Sequence, residues 1–348
     1  MLNSDLPPPV DLRTLNILSA RIGADPALIQ AAGGNTSIKA SGVMWIKASG
    51  TQLADAVRRD IMVPVDLERI RAALGARADI ADSPAEFLAR PGALRPSIET
   101  SLHAVFAQRV VVHVHCVNTI AFAIRADAET ALTALLQGFD WGFVPYHRPG
   151  AQLAAQVAGV LGPNTNVVVL RNHGLIVTAE SVAAAETLLN RVTQALSLDP
   201  GADRAADMEK LALIAYGTGF APCPDAETHQ LAFDPVTRLR AERGPLYPDH
   251  VLFCGLGATV LHPGETVADA TARGFAPGLP APVIVIVPDL GVLIPQDASP
   301  TVRALCRCLA DVLRRVPQGP DLTYITPTEA GSLLNWDAET YRAALNAQ

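Results

Sequence analysis

Residues 110–116 read V-V-V-H-V-H-C, and the way this segment is read decides the fold. β-branched residues pack well on a pleated, buried surface, so the valines predict a strand over Val110–His115. Side chains alternate along a strand, which puts His113 and His115 on one face and Val112 and Val114 on the other. Two imidazoles with neighbouring tips on a rigid strand suit a transition metal. The same spacing also occurs among ordinary core and surface histidines, and the pair alone does not choose between the two.

Working outward, a second apolar strand, Val167–Leu170, runs into R-N-H-G-L, with His173 between Asn172 and Gly174. Functional side chains concentrate at such strand ends. Gly174 is expected to let the chain turn there, and His173 either caps the turn or supplies a third ligand. Upstream, L-R-P-S-I-E-T-S-L-H (94–103) predicts a helix over 97–107, with Ser97 as N-cap and Ile98, Leu102, Val105 and Phe106 as its apolar stripe. Glu99 falls in the first turn. A carboxylate there is a helix-dipole partner or, beside a metal, a general acid/base. His103, one turn later, is expected to pack. The stretches G-G-N-T-S (33–37) and K-A-S-G-T (47–51) offer backbone N–H groups beside hydroxyl and amide side chains. That is the material of a phosphate or carboxylate nest, or of an ordinary turn. Neither is a P-loop, and the absence of G-x-G-x-x-G speaks against a Rossmann dehydrogenase.

The 348 residues suffice for one large domain or two ordinary ones, and 49% apolar with 18% charged residues is a globular composition. A net charge of −7, without a local Lys/Arg cluster, argues against a nucleic-acid partner. The start, M-L-N-S-D-L-P-P-P-V-D-L, has no basic or long apolar region, so no signal peptide is expected. The longest strongly apolar run, Val283–Val287, is too short to span a bilayer. Five irregularly spaced cysteines suit a reducing cytoplasm, and Cys306 and Cys308 are expected to pack in a helix. Helices are predicted over 11–22, 65–74, 150–161, 181–197 and about 300–315, with strand-like pieces at 44–47 and 175–177. The break L-D-P-G-A-D (198–203) divides the chain into residues 1–200 and an α/β region over 201–348. In the latter, strands are expected at 251–254, 258–261, 283–287, 291–294 and 321–325, followed by two terminal helical pieces.

In this order, G-G-N-T-S, K-A-S-G-T, P-S-I-E-T-S-L-H, H-V-H and R-N-H-G-L resemble the class II aldolase/adducin family over roughly residues 11–197. The resemblance implies an α/β, three-layer fold, a central and mostly antiparallel sheet flanked by helices, here with an additional C-terminal α/β region. It implies one divalent cation per chain, usually zinc, with manganese or cobalt as alternatives, held by His113, His115 and His173. Glu99 matches the catalytic carboxylate, Asn35, Ser49, Gly50 and Ser97 fall on the anion-binding loops, and Arg95 is a further contact for an anionic substrate. Many members are homotetramers with sites at subunit interfaces. The longer form, and the ending L-N-W-D-A-E-T-Y-R (334–342), are similar to the aldolase portion of bifunctional rhamnulose-1-phosphate aldolase/alcohol dehydrogenases; no dehydrogenase portion is expected to follow.

The sequence departs from that pattern twice. Ile98 stands where the sugar-phosphate aldolases carry a second serine before the glutamate, so one phosphate contact is lost. Residues 128–140 hold none of the tyrosine proton donors of those enzymes; Tyr146, in F-V-P-Y-H-R-P-G, is the nearest, and a buried structural tyrosine is its other reading. The reaction implied is that of a cytoplasmic lyase, making or breaking a C–C bond in a sugar, sugar phosphate or sugar acid through a metal-stabilised enediolate. Epimerisation or decarboxylation of a sugar acid would use the same site. A non-catalytic, adducin-like interaction protein is the rival, against which the presence of all three histidines and the glutamate counts.

Overall fold

The computed structural model describes residues 7–92, 94–274 and 280–335. Most of the 334–342 ending, and a helical piece expected there, lie outside the described residues. Two compact units divide the chain. One comprises the residues up to Thr119 together with Glu129–Ser197, and the other Ile120–Ala128 together with the residues from Leu198 onward.

The first unit begins with α1 (Leu12–Gly23), β1 (Asn35–Ala40), β2 (Val43–Lys47), β3 (Met62–Asp66), α2 (Leu67–Gly75), α3 (Thr100–Ala104) and β4 (Val110–Val114). After α4 (Val117–Ala123) and α5 (Ala128–Leu135) come β5 (Trp141–Val144), α6 (Ala151–Val160), β6 (Val167–Leu170), β7 (Gly174–Ala179) and α7 (Val182–Ala195). The strands form one sheet in the order β3-β2-β1-β4-β7-β6-β5, antiparallel throughout except for the β5–β6 pair.

β4 lies at the centre of the sheet, and its four valines have no exposure. Burial of each is worth roughly 1.5–3 kcal/mol, which pins the strand and its register. Val111 packs with Leu102 and Phe106 at α3 and with Leu153 and Val157 of α6. On the same side, Ile70 of α2 packs with Met44, Ile46 and Val65. On the opposite face, Ser19 of α1 shares a 2.7 Å hydrogen bond with Thr36, which pairs with Val112. α7 packs on β4 and β7 beside α1. The sheet is therefore the middle of three layers, as expected, and His113 and His115 share the α3/α6 face with Val111.

Helix α3 begins later than the sequence suggests. Ser97 does not cap it; the Ser97 hydroxyl accepts from the Glu99 N–H at 3.1 Å, while Thr100 Oγ1 donates to the Ser97 carbonyl at 2.6 Å. A local side-chain turn replaces the first helical turn.

In the second unit, Ile120–Ala128 is held by main-chain bonds. Thr323 N–H donates to the Ile124 carbonyl at 2.7 Å and Ala126 N–H to that of Asp321 at 2.8 Å. Its elements are α8 (Met208–Ala215), β8 (Phe220–Pro222), α9 (Pro235–Arg243), α10 (Pro248–Cys254), β9 (Thr259–Val260), α11 (Val267–Gly274), β10 (Val285–Val287), β11 (Gly291–Pro295), α12 (Pro300–Leu313) and α13 (Pro327–Leu334). The four strands pair in the order β8-β11-β10-β9. Two expectations are corrected. Residues 251–254 end helix α10, which Pro248 opens from the first-turn position that proline favours. Residues 321–325 make only an isolated bridge, Leu322 with Arg125. All five cysteines are buried free thiols, Cys306 and Cys308 within α12. Among the described residues no helix is long and apolar enough to cross a membrane.

Candidate metal centre

Two segments aim three side chains at one point. β4 supplies His113 and, one residue beyond its end, His115. The three-residue loop between β6 and β7, where Leu170 pairs with Gly174, supplies His173. The ring centroid of His113 lies 5.0 Å from that of His115 and 4.9 Å from that of His173, with 5.2 Å between His115 and His173. One nitrogen from each ring lies within 4.8 Å of the others, and all three residues are buried.

Local geometry explains how the chain achieves this convergence. Asn172 adopts φ +55°, a left-handed conformation that asparagine tolerates better than most residues, and so reverses the loop before His173. Gly174, expected to make that turn, is instead extended within β7 and is needed for close packing. A Cβ there would lie 2.5 Å from the Val114 carbonyl and 3.3 Å and 3.4 Å from the rings of His113 and His115. A Cβ at Gly33 would likewise meet the His115 ring at 2.8 Å. Neither Asn172 nor Gly33 stands out in the sequence as part of a metal site, because the signal for both is a tertiary approach.

Glu99 completes the cluster. Its Oε1 lies 3.5 Å from His113 Nε2 and 3.3 Å from His173 Nε2, and its Oε2 accepts from the Asn35 amide at 2.6 Å. Asn35 is there because β1 sets it opposite His113 in the sheet. Burial raises the Glu99 carboxyl, while positive charge at the His113, His173, His115 and His103 positions lowers it, and the lowering wins, to about 2; with the rings neutral, a divalent ion at the cluster would supply that charge. His103 itself is pushed down to about 3, first by burial, and its Nδ1 meets the Ser37 hydroxyl at 2.8 Å. It packs as a neutral ring.

The donor set suits a divalent ion. His113 Nδ1 lies 3.1 Å from the Leu175 carbonyl, which can only accept, so the proton sits on Nδ1 and Nε2 presents its lone pair to the cluster. Neutral imidazoles beside a carboxylate are ligands for zinc and its neighbours in the transition series.

The segments that hold Ser49 and Gly50 and that hold Arg95 and Ser97 lie against each other. Ala48 bridges Pro96, Ser49 N–H donates to the Arg95 carbonyl at 2.9 Å, and Ser97 N–H donates to the Lys47 carbonyl at 3.0 Å. Ser97 is thereby set two residues from Glu99, with Ser49 and Gly50 on the facing loop. The Arg95 side chain is exposed. Tyr146 is half-buried in the segment after β5, its hydroxyl shielded from solvent.

Residues 18–198 match the Class II Aldolase and Adducin N-terminal domain. The chain belongs to this family. The class II aldolase/adducin domain thus carries the histidines, Glu99 and both loops. The chain is 30% identical over 188 residues to the uncharacterized oxidoreductase YuxG of Bacillus subtilis, covering 50% of this chain and 27% of that protein. It spans about a quarter of that relative's length. Among solved structures, it is similar to an N-terminal class II aldolase domain from Thermoplasma acidophilum (24% identity, TM-score 0.47, 56% of this chain and 98% of that one). It is also similar to the L-fuculose-1-phosphate aldolase of Thermus thermophilus (21% identity, TM-score 0.36, 52% and 91%).

Proposed function

We propose that this chain is a class II, zinc-dependent aldolase-type lyase that makes or breaks a C–C bond in a sugar, sugar phosphate or sugar acid. The observation that carries the reading is the Glu99 carboxylate, set 3.3 Å and 3.5 Å from two of three converging imidazoles. A divalent ion on His113, His115 and His173 would act as a Lewis acid toward adjacent hydroxyl and carbonyl oxygens of the substrate. Glu99, ionised and turned inward, takes a proton from the substrate and returns it. Asn35 fixes the far carboxylate oxygen, leaving Oε1 on the imidazole side. Ser49, Gly50, Ser97 and Arg95 receive the anionic end of the substrate, and Tyr146 is the proton-donor candidate. By family resemblance the enzyme works as a cytoplasmic homotetramer.

The test begins with metal analysis of the purified protein, expected to give about one divalent ion per chain, and none in His113→Ala. The metal-loaded enzyme is then screened on ketose phosphates and sugar acids for release of aldehyde, dihydroxyacetone phosphate, pyruvate or CO2. Full turnover by metal-free protein, or a metal-loaded protein inert toward the whole panel, overturns the proposal.

A further inference from the structure

β2 ends in a lysine that is 2% exposed. Lysine is almost never buried unless its ammonium is paired, and here the ammonium meets main-chain carbonyls of two loops. Lys47 Nζ donates to the Ala32 carbonyl at 2.6 Å and to the Thr51 carbonyl at 2.9 Å. Ala32 immediately precedes G-G-N-T-S, and Thr51 closes K-A-S-G-T. The Lys47 main-chain carbonyl accepts from Ser97 N–H at 3.0 Å, and the Ser97 hydroxyl accepts from Glu99 N–H at 3.1 Å. One residue thus touches all three polar loops, and two of its connections lead to Glu99. One runs through Ser97 to the Glu99 backbone. The other runs through the 32–35 segment to Asn35, whose amide holds Glu99 Oε2.

We infer that Lys47 is a positioning residue, whose ammonium ties the 31–35 loop to the 48–51 loop while its main-chain carbonyl holds 95–99, and which thereby fixes the direction of the Glu99 carboxylate. The inference rests on the reading of Glu99 as the proton-transferring group. Removing the ammonium leaves two carbonyls without this donor in a buried place, and the loops part to reach water. The His113, His115 and His173 ligand set stands on β4 and the β6–β7 loop, outside the clamp.

Lys39 supplies an internal control. It is also buried, and its Nζ donates to the carbonyls of Phe106 and Gln108, both at 2.9 Å, between α3 and β4. It loses as much on truncation but touches none of the three loops.

The experiment compares Lys47→Met, Lys39→Met and Lys47→Arg in the full chain loaded with Co2+. Both methionine variants should melt earlier than the parent and keep its cobalt stoichiometry. Only Lys47→Met should shift the visible cobalt bands, which report the atoms around the imidazoles. Only there should amides of 31–36, 48–52 and 95–99 exchange about tenfold faster, the loss of roughly one buried hydrogen bond, while 110–116 stay protected. Turnover of any substrate found in the screen should fall about tenfold or more in the same variant alone. Unchanged bands and exchange in Lys47→Met, or the same changes in Lys39→Met, overturn the inference. Should Lys47→Met fail to fold, Lys47→Arg decides: its longer fork keeps the charge but misplaces the donors, and a parental cobalt spectrum overturns the clamp. If the parent protein takes up no cobalt, the metal reading fails, and the exchange pattern still decides the role of Lys47.

Discussion

A carboxylate 5% exposed is stable as an anion only where cations, polarised rings or donors surround it, and Glu99 has imidazoles on one oxygen and the Asn35 amide on the other. Glu99→Gln keeps the shape and removes the proton acceptor. The variant should retain fold and divalent ion, while turnover falls about 10²- to 10⁴-fold; near-parental turnover would take Glu99 out of the reaction. Asn172 acts through backbone alone at φ +55°. Asn172→Gly should bind the divalent ion as the parent does. Asn172→Val, forced into a region that costs a bulky residue about 1–2 kcal/mol or more, should lose affinity for the ion by dialysis as His173 swings away. At this scale the three clustered histidines and Glu99 were legible in the sequence because the order of their motifs resembles a known family. Asn172, Gly33 and Lys47 were not, because a dihedral, a close approach and a pair of carbonyl partners exist only after folding.

Among elements, the valine strands could be read directly: β4 and β6 are buried on both faces and show as continuous β-branched runs. The apolar run V-L-F-C at 251–254 was misread as strand. Four apolar residues carry no period, and the helix is set by Pro248 before them and by packing against α12 and α13. Helix α3 is shorter than its apolar stripe suggested because Ser97 and Thr100 satisfy the turn that precedes it. The β4–β7 pairing gives a test of how tightly the histidine face is built. A methyl at Gly174 would sit 2.5 Å from the Val114 carbonyl, so Gly174→Ala should cost about 1–3 kcal/mol in urea unfolding and weaken divalent binding. Gly159 on α6 meets nothing within 4 Å, and Gly159→Ala should instead stabilise by a few tenths to about 1 kcal/mol. Equal effects of the two substitutions would refute the close-approach argument.

At the scale of the molecule, the pairing of Ile120–Ala128 with residues 321–323 left no trace in the sequence, since a main-chain contact so distant along the chain imposes no pattern on either segment. The buried histidines have a consequence for the whole fold that does follow from residue type once burial is known. His250 in the second unit is pushed down to about 3 by burial, and its Nδ1 accepts from Leu246 N–H at 3.3 Å. In the unfolded chain such a ring binds a proton near pH 6.5. Between these values the unfolded state holds the extra proton, so stability is fully present above about pH 6.5 and is lost as pH falls toward 3. The loss amounts to roughly 1.4 kcal/mol per pH unit for each such ring. His103, held near 3 in the first unit, adds the same dependence there. His250→Asn can keep an acceptor for Leu246 while removing the titration. It should be less stable than the parent at pH 7, where the smaller side chain leaves a cavity. Its urea midpoint should then fall more shallowly with acid, so that the two curves converge toward pH 5. Parallel curves from pH 7 to 5 would mean that His250 already accepts its proton in the folded protein.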